Sequence, residues 1–222
     1  MPPFDDQDIT RLLLDGNSHS HGAHHHLGWE TYAGAQSADP DANLTTLHES
    51  FHNELNNLTA YGFLLQVYAL LAKANRQEEK YVAIFEYLVA QSREAHEVYA
   101  TFISTTITAE KKENKAGQPV DLLKNYPGYR KHYEKGRLLT AAFQGHYLQE
   151  VALTAIIISC FQSRAISERA RRDLTGFQPD HLDYAEFPDG RLSLLGRKLP
   201  ATYLRQSFED FPPQHVFSHA AT

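Results

Sequence analysis

A mainly α-helical fold, with a long antiparallel helical hairpin and a third long helix beside it, is what this 222-residue sequence predicts. Two observations carry that expectation. Apolar residues recur at steps of three and four through residues 44–74, 78–108 and 129–173, the spacing of one helix face. Residues that favour turns fall between those runs. A strand-type signal occurs near the C-terminus, where Phe187-Pro188-Asp189-Gly190-Arg191 separates short apolar stretches and predicts a small β-hairpin.

Residues 1–43 show no sustained periodicity and carry Gly, Ser, Asp and Pro punctuation, so they read as an irregular His-rich segment with a short opening helix at 8–15. The histidine tract at 19–26 has a metal-binding composition. It reads as a polar loop, because no periodic pattern fixes its imidazoles in space. The first long helix places Leu47, Phe51, Leu55, Leu58, Tyr61, Leu65 and Tyr68 on one face. Asn75 followed by Glu78 has the form of a cap, so a second helix should begin there. It carries Tyr81, Phe85, Leu88, Ala95, Val98 and Phe102, which makes the first two helices a hairpin joined near residue 75. Residues 110–127 are charged and contain Gly117, Pro119 and Pro127, as a loop would. The third helix presents Leu139, Phe143, Tyr147, Val151 and Ile158 on one side. Residues 44–175 thus form the expected helical domain, with 176–222 mostly irregular.

Composition narrows the function classes. The chain has 27 acidic against 21 basic residues, which argues against a dedicated nucleic-acid binder. The arginines at 169–172 read as a solvated helix end. Cys160 is the single cysteine, so no intramolecular disulfide forms; in its apolar run it reads as a small buried residue rather than a nucleophile. The acidic N-terminus lacks an export pattern, and the longest apolar stretch, 151–161, falls short of the ~20 residues of a membrane span. A soluble, cytoplasmic protein with no membrane or nucleic-acid partner is expected.

The segment that carries chemistry is His48-Glu49-Ser50-Phe51-His52. Residues four apart share a helix face, so both imidazoles can reach one ion. Catalytic zinc takes three protein ligands and keeps a position for water, and a glutamate beside the first ligand can accept that water's proton. A competing reading also fits. Thr46 and Glu49 have the spacing of a capping box, and a helix starting at Thr46 would leave His48 in its first turn.

The segment resembles that of the zinc-dependent metallopeptidases carrying His-Glu-x-x-His, and among them the glutamate-liganded (gluzincin) group. The resemblance spans residues 48–102. It implies Zn2+ held by His48 and His52, Glu49 as general base, a peptide or protein substrate, and a third ligand from a glutamate on a later helix. Glu97-Val98-Tyr99-Ala100 resembles the Glu-Gly-x-Ala setting of that ligand, with Val in place of Gly; Glu94 is its rival. In a hairpin that turns near 75, the level opposite the two histidines lies near residue 100, which favours Glu97. The third-histidine group is excluded, because Leu55 and Leu58 stand where it needs Gly and His. No clear edge strand precedes the motif helix. His146 or Tyr147 could stabilise a developing oxyanion. His96 points about 100° from Glu97 on a helix and should not join the same ion.

Two alternatives stand beside this. A di-iron carboxylate bundle would use Glu49-x-x-His52 with Glu54, Glu86, Glu94 and Glu97, but no second Glu-x-x-His occurs. A non-catalytic helical interaction module would use the aromatics as core and interface. Work within a larger assembly is compatible with any of the three.

Overall fold

The computed structural model describes residues 22–24, 31–33, 42–75, 77–111, 119–124 and 126–198. The opening helix expected at 8–15, and the histidine tract apart from the strand that takes in His24, lie outside them. The fold is mainly α. A two-stranded antiparallel sheet, β1 (Gly22–His24) and β2 (Thr31–Ala33), comes first, with Ala23 opposite Tyr32. Both strands pack on the first helix, α1 (Ala42–Leu58). A strand pair therefore does precede the motif helix, contrary to expectation. The helices α2 (Ala60–Ala74), α3 (Glu79–Ala90), α4 (Arg93–Lys111), α5 (Pro119–Leu122), α6 (Pro127–Leu139), α7 (His146–Phe161), α8 (Arg164–Arg172) and α9 (Pro188–Lys198) follow.

The hairpin is present, but each arm is two helices. Thr59 breaks the first arm: its Oγ1 donates to Leu55 O at 2.6 Å and accepts from Gly62 N at 3.0 Å, ending α1 and capping α2. Gly62 is required there, since a Cβ would stand 2.4 Å from Asn56 Cα. The second arm breaks at Gln91–Ser92, between α3 and α4. The result pairs α1 with α4 and α2 with α3, and Tyr61 OH donates to Leu88 O at 2.7 Å across the second pair. Asn75 turns out to cap the end of α2, its side chain donating to Leu71 O at 3.0 Å, while α3 starts after Glu78 without a side-chain cap.

The expected third helix is likewise three helices. Gly145, with φ of 86°, turns the chain between α6 and α7, a conformation that favours glycine. Ser163 caps α8 after the break at Gln162. By length and composition alone residues 146–172 could cross a membrane, but Leu153, Ile157 and Phe161 of this stretch are buried in the core with Leu55, Leu65 and Leu88.

The C-terminal hairpin is replaced by α9. Pro188 and Asp189 also suit the first turn of a helix, and the buried Phe187 with the contact of Asp189 to α4 selects it. Gly190 lets the backbone pass Tyr184, whose carbonyl oxygen would meet a Cβ. Phe177, Phe187 and Leu192 join the common core, so the described part of 176–222 belongs to the same unit as the helices before it.

Candidate metal centre

α1 begins at Ala42, so His48, Glu49 and His52 lie beyond its first turn and Thr46 is not its cap. Ser50 Oγ donates to Thr46 O at 2.7 Å, which places that carbonyl inside the helix. The capping-box reading of Thr46 and Glu49 is therefore overturned. His48, Glu49 and His52 are all buried.

The folded hairpin sets α4 against them. His48 Nε2 lies 3.0 Å from His52 Nε2 and 3.4 Å from Glu97 Oε2, and His52 Nε2 lies 4.0 Å from Glu97 Oε1. One ligand atom from each of the three falls within 4.8 Å of the others, the one such group among the described residues. Two ligand atoms on a tetrahedral zinc stand about 3.3 Å apart when each bond is about 2 Å. The donor set is two imidazole nitrogens and a carboxylate oxygen, and its spacing fits one small divalent ion.

Glu94, the rival carboxylate, is engaged elsewhere. Lys135 of α6 donates to its Oε1 at 3.0 Å, and His132 Nδ1 stands 4.0 Å away. Partial burial disfavours its charged form, but the Lys135 hydrogen bond and charge outweigh this and hold the carboxyl below its usual range. His96 stays out of the three-residue group yet touches it, because its Nδ1 lies 3.2 Å from His52 Nδ1. The ring also packs edge-on against Phe161 at 4.8 Å.

His146 and Tyr147 stand exposed in the first turn of α7, Tyr147 at 59%. Neither is in the buried cluster. The residues that approach it come from α6. Tyr129 meets the His48 ring edge-on at 5.1 Å. His132 is buried, and burial lowers its pKa against the opposing pull of Glu97 and Glu94. Sequence reasoning missed both, since their approach to the centre depends on how α6 crosses α4.

Cys160 is fully buried and its thiol is pushed up to about 11 by burial, as an inert core residue. The chain matches no protein-family model, no curated protein and no solved structure.

Proposed function

We propose that the protein is a metal-dependent hydrolase, with zinc held by His48, His52 and Glu97 and with peptide bonds as its substrate. The observation that carries this reading is the convergence of those three ligand atoms within 4.8 Å. Zinc bound there would supply Lewis acidity and lower the pKa of a water molecule to ~7. Glu49, next to His48 on α1, takes that water's proton and returns it to the leaving group. His96 fixes the His52 ring through its Nδ1, the orienting contact that metal-binding histidines commonly have. Tyr129 and His132 take the oxyanion-stabilising role first considered for His146 and Tyr147, since they approach the cluster from α6.

The di-iron alternative finds less support. Glu86 is exposed, and Glu54 hydrogen-bonds Tyr99. The test is turnover of a broad set of fluorogenic peptides by the zinc-loaded protein and by Glu49→Gln. Cleavage by the first and none by the second supports the reading. No cleavage by either removes the peptidase assignment, and two irons per chain would restore the bundle alternative.

A further inference from the structure

The geometry points to a binding row for a substrate main chain on α4, formed by the hydroxyls of Thr101, Thr105 and Thr108 and beginning beside Glu97. It rests on the hydrolase reading and names the surface that would hold the substrate's polar backbone.

Positions 97, 101, 105 and 108 fall within about 80° of one another around the helix axis. Their face lies between two packed neighbours. On one side His96 meets His52 of α1. On the other Phe102 stacks on Tyr133 of α6 at 5.4 Å. Thr101, Thr105 and Thr108 are 1%, 0% and 6% exposed. A buried threonine in a helix ordinarily returns its hydroxyl to the carbonyl four residues back. Thr106, on the far side of α4, does so to Phe102 O at 2.8 Å, and Thr140 does so to Gly136 O at 2.9 Å. Among the described residues, the hydroxyls of Thr101, Thr105 and Thr108 have no hydrogen-bond partner.

Each of those hydroxyls is buried and gains no bond from the described residues, which costs stability. Valine would fill the same space without that cost. Three such groups on one face, contiguous with the His–His–Glu cluster, are explained by a ligand that supplies the missing bonds. Each hydroxyl can donate and accept, as the alternating N–H and C=O groups of a peptide require. The row spans about 10.5 Å along the helix at 1.5 Å per residue, with about 6 Å between Thr101 and Thr105. An extended chain repeats its same-side groups every ~6.7 Å, so the row accommodates two to three peptide units. Because the hydroxyls are buried, the row admits a chain only when the elements packed over it move apart.

The experiment uses full-length, zinc-loaded protein and two probes: acetohydroxamate, which reaches the metal alone, and a tripeptide hydroxamate, which extends along the row. The variants are Thr101→Val/Thr105→Val, the Ser/Ser counterpart, and Thr108→Val should the double variant not fold. The tripeptide hydroxamate should bind the Val variant about ten-fold more weakly, and the Ser variant like wild type. Acetohydroxamate affinity should stay constant and the melting temperature should not fall. Equal binding of the tripeptide probe by Val variant and wild type overturns the row, as does parallel weakening of both probes. Failure of acetohydroxamate to bind the wild type overturns the metal-hydrolase reading itself, and the row with it.

Discussion

His52 Nδ1 and His96 Nδ1 lie 3.2 Å apart across the α1–α4 interface, while His52 turns its other nitrogen, Nε2, to His48. An ion on Nε2 leaves the proton on Nδ1, so His52 then donates to His96. His96→Ala is therefore expected to lower zinc affinity by about 10- to 100-fold while leaving the ligands in place. Competition against a chromogenic chelator measures this. An unchanged affinity would show that His96 is packing alone.

The two carboxylates of α4 should separate cleanly. Glu97→Gln is expected to lose the metal, because it removes the one carboxylate of the group. Glu94→Gln should keep it, because Glu94 is held by Lys135 at 3.0 Å. Metal content after dialysis distinguishes the two variants; the reverse pattern would reassign the third ligand.

Much of this arrangement was legible before the structure. The periodicity at 44–74 and 78–108 gives the hairpin, and hairpin arithmetic selects Glu97 over Glu94 as the glutamate that meets His48 and His52. The breaks inside the arms were not legible. Thr59 interrupts a run whose apolar period continues through it, and a hydroxyl that ends one helix while starting the next leaves no distinct signature. Near the C-terminus the same four residues, Phe187 to Gly190, suit a turn or a helix start. Tertiary packing decided between them, through the buried Phe187 and the contact of Asp189 with α4. Tyr129 and His132 escaped notice because their approach to the centre depends on how α6 crosses α4, which no local pattern encodes.

Glu49→Gln keeps the shape of the side chain and removes its basicity. Metal content and melting temperature should match wild type, and peptide turnover should fall by about 10²- to 10⁴-fold. Turnover within a few-fold of wild type would take Glu49 out of the mechanism.

Asp189 ties α9 to the start of α4, accepting from Ala95 N at 2.8 Å and Glu94 N at 3.1 Å. Burial raises its carboxyl from 3.8 to about 6, against the lowering effect of those two hydrogen bonds. A carboxyl raised on folding contributes stability that is fully present below its unfolded value and is lost as pH rises through its folded value. The melting-temperature difference between wild type and Asp189→Asn should thus shift against the wild type as pH rises from about 3.8 to about 6. A constant difference, or a shift the other way, would contradict the burial of this group as the dominant influence.

Metal stoichiometry by plasma mass spectrometry, on untagged wild type and His52→Ala, tests the central claim most directly. The natural histidine tract at 19–26 is retained in both, so any metal it binds cancels. The ligand set of His48, His52 and Glu97 predicts one more zinc per chain in the wild type than in the variant. Equal metal in the two proteins, or none in either, would contradict it and leave the buried histidines as a hydrogen-bonded core cluster.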